Sequence, residues 1–152
     1  MATRDTTSMG ATETPLRAGE GRAPLGLHSA VPSYTVNDVE KSLAWYRDVL
    51  GFTVKERWEN NGKLEGVEMK AGAVSFMLGQ DDWKKGRTRA KGEAIRMFCS
   101  TDQDIDAMAA QVKAAGGTLA REPNDDWGMR SFSIDDPDGF KITIASQTMN
   151  KS

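Results

Sequence analysis

The chain carries the same punctuation twice. Asp38 precedes an apolar period that ends at Gly51, and Asp104 precedes a second that ends at Gly117, at one spacing, since 51 − 38 = 13 and 117 − 104 = 13. Aspartate is a favoured helix N-cap and glycine a favoured stop, so each pair brackets a helix. A strand-like segment precedes each helix, and more strands follow it. A βαβββ unit used twice constrains the fold strongly, because two copies facing each other across a pseudo-twofold axis enclose a cleft, where ligands usually bind.

Alternation and turn residues place the elements. Val31 to Asn37 alternates as a strand, then Val39, Leu43, Tyr46 and Leu50 recur at helical spacing. Phe52 to Trp58, Leu64 to Lys70 and Ala73 to Leu78 complete the first unit, with Asn60-Asn61-Gly62 as a hairpin turn. After a linker from Gly79 to Glu93 come a strand at Ala94 to Thr101 and a helix with Ile105, Met108, Ala109 and Val112 on its apolar stripe. Three strands follow at Thr118 to Glu122, Met129 to Ile134 and Phe140 to Ala145. The expected fold is α+β, two tandem βαβββ modules of about 30–80 and 94–146 forming a curved mixed sheet around a cleft.

A length of 152 residues suits one domain, here 27–149, preceded by a Gly- and Pro-containing leader, 1–26, read as disordered. A net charge of −2 gives no general attraction to nucleic acid or an anionic membrane, and no apolar run is long enough to span a bilayer. Cys99 is the one cysteine, so no internal disulfide forms and a cytoplasmic location is expected. In a mid-sheet strand it reads as packing, not as a nucleophile.

The run Asn37-Asp38-Val39-Glu40-Lys41-Ser42-Leu43-Ala44-Trp45-Tyr46-Arg47-Asp48-Val49-Leu50-Gly51-Phe52 resembles the opening of the vicinal oxygen chelate superfamily, which includes glyoxalase I, bleomycin and fosfomycin resistance proteins and extradiol dioxygenases. Gly66-Val67-Glu68-Met69, Trp127-Gly128-Met129-Arg130 and Asp135-Asp136-Pro137-Asp138-Gly139 match three further landmarks, so the resemblance covers about Ala30 to Ser146. It implies the two-module fold and a homodimer. Chemistry it leaves open, since the superfamily hosts unrelated reactions.

Metal-dependent members hold one divalent ion in the cleft through His, Gln or Glu near the start of the first strand, on the fifth strand and on the last strand of each unit. Counting seven back from the capping aspartates gives Val31 and Met97, and counting four on from Gly72 and Gly139 gives Phe76 and Thr143. Val, Met and Phe do not ligate hard cations, and a lone Thr is a poor ligand. The neighbours Ser29, Ser33, Ser75, Ile95, Cys99, Lys141 and Ala145 add neither His nor carboxylate. No metal and no cofactor are expected. His28, the one histidine, reads as an exposed loop residue.

The expected ligand-binding cleft is therefore Val31, Ser33, Trp58, Phe76, Met97, Trp127, Arg130 and Thr143, apolar and partly aromatic. Arg130 has an alternative as a surface ion pair with Asp125 or Asp126. The basic loop Lys84, Lys85, Arg87, Arg89 and Lys91 reads as solvated rather than as a nucleic-acid site. The functional expectation is a metal-independent protein that sequesters or senses a small organic ligand. The alternative is a glyoxalase-like lyase or isomerase with a relocated metal site built from His28, Glu56 or Glu68.

Overall fold

The computed structural model describes Gly21 and residues 23–147. The chain divides into two compact units, Met1–Ala30 and Val31–Ser152. The described residues of the first unit are exposed and form neither helix nor strand. The remainder of the expected leader, and residues 148 and 149 of the expected domain, lie outside the described residues.

The second unit contains β1 (Ser33–Val36), α1 (Val39–Asp48), β2 (Thr53–Asn60), β3 (Lys63–Ala71) and β4 (Val74–Gln80), then β5 (Arg96–Ser100), α2 (Ile105–Ala114), β6 (Leu119–Asp126), β7 (Met129–Asp135) and β8 (Lys141–Gln147). This is the α+β arrangement of two tandem βαβββ modules. Each module contributes its own four-stranded mixed sheet, ordered β1-β4-β3-β2 and β5-β8-β7-β6. In both, the first strand pairs parallel with the last, and the other pairings are antiparallel.

Both helices begin as their sequences dictate. The Asp38 carboxylate accepts the Lys41 N–H at 3.1 Å and the Asp104 carboxylate accepts the Ala107 N–H at 3.0 Å, each satisfying a donor left open in the first turn. Gly51, at φ +78°, turns the chain out of α1 so that the Phe52 N–H returns to the Tyr46 carbonyl at 3.0 Å.

One face of each sheet is covered by its helix. Tyr34, Val36, Val67, Met69, Phe76 and Leu78 are buried on the α1 side, with Tyr46 packed edge-on to Phe76 at 4.7 Å. The modules share a single apolar core, which includes Ile105, Val112, Phe132, Ile134 and Ile142 from the second. Tyr34 stacks on Phe140 at 4.2 Å, joining β1 to the turn before β8. The opposite, helix-free faces carry the candidate sites.

Candidate functional site

Strand alternation decides what the helix-free face of the first sheet displays. With Tyr34, Leu78 and Val67 turned towards α1, the cross-strand row Ser33, Met77, Glu68, Glu56 faces the other way, and so does the row Thr35, Gly79, Gly66, Trp58. Two adjacent glycines floor the second row. A Cβ on Gly66 would lie 3.2 Å from Cε3 of Trp58, so the indole rests on that glycine, while a Cβ on Gly79 would meet nothing within 4 Å. The result is a shallow trench beside an indole that is 40% exposed.

The second sheet displays hydroxyls and arginines. Opposite the α2 side, Thr143 and Ser133 are register partners and their oxygens lie 2.9 Å apart, both nearly buried. Arg96 Nη1 donates to Thr143 Oγ1 at 2.9 Å, and Arg121 Nη2 donates to Ser131 Oγ at 2.7 Å. Arg121 also bonds Asn124. Phe98 is the register partner of Thr143 on β5 and is half exposed.

Four of the eight expected cleft residues lie on or beside these faces. Ser33 and Trp58 are on the first face and Thr143 is on the second, while Val31 is exposed just ahead of β1. Phe76 is instead fully buried against α1, and its neighbour Met77 occupies the outer face. Met97 packs partly buried against the core, leaving the outer positions of β5 to Arg96 and Phe98. A one-residue offset along a strand reverses the face, which is why both counted positions point inward.

Trp127 and Arg130 stand elsewhere. Trp127 is 88% exposed at the tip of the β6–β7 hairpin, at φ +53°. Arg130 donates from Nε and Nη2 to the Asp106 carboxylate at 2.7 and 2.9 Å, and from Nη1 to Asp125 at 3.1 Å, tying α2 to that hairpin. The ion pair expected with Asp125 forms, and Asp106 adds to it. Together they raise the Arg130 pKa above its ordinary value, Asp106 contributing most.

The linker is more ordered than a solvated loop. Buried Asp81 pairs with Lys91 at 2.8 Å and Arg89 at 2.9 Å, and it accepts the Trp83 N–H at 2.8 Å. Its carboxyl is held far below the usual carboxylate range, the Lys91 bond contributing most. Arg87 lies 4.2 Å over the Trp83 ring. Half-buried Cys99 has its thiol pKa pushed up by burial, which lowers its thiolate fraction. His28 is exposed.

A family model described as Glyoxalase/Bleomycin resistance protein/Dioxygenase superfamily matches residues 26–144. The chain belongs to that superfamily. Among the superfamily's curated proteins, a lactoylglutathione lyase of Haemophilus influenzae is 27% identical over 128 residues, covering 77% of this chain and 90% of its own length. Two solved structures share the fold: TioX from Micromonospora sp. ML1, 18% identical with a TM-score of 0.63, and TnmS3, an antibiotic binding protein from Streptomyces sp. CB03234, 24% identical with a TM-score of 0.62. Each match covers 82% of this chain and all of the other.

The divalent ion of metal-dependent superfamily members does not fit the residues present here. On the helix-free faces, β1, β4, β5 and β8 offer Ser33, Met77, Phe98 and Thr143. The Arg96 guanidinium already lies against the Thr143 hydroxyl, so a cation there would meet a fixed positive charge. Among the described residues no three His, Cys, Asp or Glu side chains come together in a way that could hold a metal ion. What the faces supply is an aromatic platform, a hydroxyl floor and guanidinium donors.

Proposed function

We propose that this chain is a metal-independent binding protein that holds a small, partly aromatic organic molecule, for sequestration or sensing. The observation that carries this reading is Trp58 resting on Gly66 beside the open position over Gly79, a surface shaped for a flat ring. The antibiotic binding protein of the same fold supports it. We propose further that it works as a cytoplasmic homodimer. Exposed Ile95 and Trp127, together with the outer edge of β2, the last strand of its sheet, are surfaces that a second copy would cover.

Thermal-shift screening of a metabolite and antibiotic panel, with metal analysis of the dialysed protein, tests the function. The expected outcome is at least one aromatic ligand that raises the melting temperature, and no change with divalent ions. A stoichiometric ion that survives dialysis would sink this reading.

The second reading is a glyoxalase-like lyase or isomerase with a relocated metal site. Glu56 and Glu68 favour it as cross-strand partners on one face, although Glu68 already pairs with Lys55 at 3.4 Å. Two carboxylates fall short of the usual three protein ligands, so another group would have to come from elsewhere. Loss of a bound metal in the Glu56→Gln variant is its test.

A further inference from the structure

We propose that the helix-free face of the second sheet is an anion-recognition subsite, in which Arg96 and Arg121 hold the carboxylate of an aromatic acid whose ring lies against Phe98. The inference deepens the binding-protein reading and rests on it. It begins from where the two arginines spend their hydrogen bonds. Each donates to a hydroxyl of the sheet, Arg96 to Thr143 and Arg121 to Ser131.

Among the described residues neither guanidinium has a carboxylate partner. Asp135, on the same face, pairs with Lys141 at 3.6 Å, Asp106 and Asp125 pair with Arg130, and Glu122 pairs with Lys113 at 2.9 Å. Two full positive charges therefore face one surface without compensation, in a chain whose net charge is −2. A guanidinium carries five N–H donors in a planar fork. One donor of Arg96 and two of Arg121 are used on this face, so each keeps donors for a ligand.

The spacing suits one small anion. Thr143 and Ser131 are diagonal neighbours on paired strands, a separation of about 7–8 Å between the backbone positions beneath the two guanidinium groups. An anion placed between them can accept from both, and a carboxylate matches the fork geometry in two parallel bonds. Phe98, beside Thr143 on the adjacent strand, offers the apolar surface next to that charge, so the favoured ligand joins a ring to an acid. Serine and threonine hydroxyls beneath the arginines fix them in place and add no competing negative charge.

Calorimetric titration of the full chain with naphthalene-2-carboxylate, and separately with the neutral isostere naphthalene-2-carboxamide, tests the assignment. The acid is expected to bind at least about tenfold more tightly than the amide, and Arg96→Gln or Arg121→Gln to remove about tenfold of the acid's affinity while leaving the amide's unchanged. Arg96→Lys, which keeps the charge, should recover part of the loss; that recovery separates recognition from a folding defect. Equal affinity for acid and amide overturns the subsite but leaves an aromatic binding protein standing. Absence of binding by the acid at millimolar concentration also overturns it. A stoichiometric metal surviving dialysis would remove the parent reading instead.

Discussion

The Tyr46 hydroxyl donates to the buried Asp136 carboxylate at 2.7 Å, across 90 residues of sequence, and so joins the first helix to the turn that launches the last strand. Asp136 also accepts the N–H groups of Asp138 at 2.8 Å and Phe140 at 2.9 Å. Burial pushes its carboxyl pKa up, the Tyr46 bond and the two backbone donors pull it back, and the balance stays above the ordinary 3.8. Tyr46 itself is pushed far up, by burial first and Asp136 second.

Tyr46→Phe should therefore cost about 2 kcal/mol at neutral pH, the worth of a hydrogen bond to a buried charge. Losing the phenol raises the Asp136 pKa further, so the carboxyl holds its proton to higher pH in the folded variant. The deficit is greatest where Asp136 is ionised in both folded proteins, shrinks as the pH falls through their folded pKa values, both above the ordinary 3.8, and is level below them. Urea unfolding of both proteins from pH 3 to pH 7 checks this, and a deficit constant with pH would show that the bond is not the cause.

Asp81 has the opposite sign. Its folded carboxyl releases its proton more readily than the unfolded one, so its stabilisation is complete above the ordinary 3.8 and is lost as the pH falls through and below that value. In Asp81→Asn the acid-dependent loss should be smaller, with the melting temperature below wild type at pH 7 and converging on it below pH 3.8. Parallel melting curves across that range would contradict the assignment of Lys91 and Arg89 as its partners.

Two glycines predict opposite tolerance. A Cβ on Gly92 would sit 2.3 Å from the Phe140 nitrogen and 2.5 Å from the Gly139 carbonyl carbon, at φ +65°, so Gly92→Ala should destabilise by about 3 kcal/mol. Gly79→Ala meets open space and should change stability by less than about 0.5 kcal/mol. The second variant narrows the trench beside Trp58. Chemical denaturation measures the contrast, and an aromatic ligand found by screening should bind Gly79→Ala more weakly.

Trp127 occupies a turn position that its counterpart in the first module fills with Asn61. Both hairpins turn through two residues of positive φ, Asn61-Gly62 and Trp127-Gly128, and asparagine accepts that conformation far more readily than tryptophan. Trp127→Asn should raise stability by about 1 kcal/mol. Strain kept at an 88% exposed indole points to a use outside the fold. If the tryptophan serves the proposed dimer, sedimentation of the variant should show weaker self-association.

Asp38, Asp104 and the turn glycines made the modules legible, because caps and turns are local signals. Pleat parity was not legible in β4 and β5, where Phe76-Met77-Leu78 and Met97-Phe98 are apolar on both sides and give alternation nothing to read. The β2–β3 register shifts at Val54/Glu56 and Trp58/Glu59 defeat counting in the same way. Arg96 and Arg121 were missed since their partners lie 47 and 10 residues away. The polar stripe of Ser131, Ser133 and Thr143, alternating with Phe132, Ile134 and Ile142, was the available signal that this face is polar and the other apolar.

The joint between the modules also sets the order of events in synthesis. Asn37, next to the first helix, bonds Asp138 at 3.1 and 2.8 Å across 101 residues, and Tyr34 waits for Phe140. A ribosome that has released residues 33–80 has delivered every strand of the first sheet, yet the aromatic lid over β1 arrives only with the last turn. Such distant closures slow folding, so the first module stands incomplete while the 60 residues from Asp81 to Phe140 are added, a window in which its uncovered Tyr34 is open to chaperones or to another nascent chain.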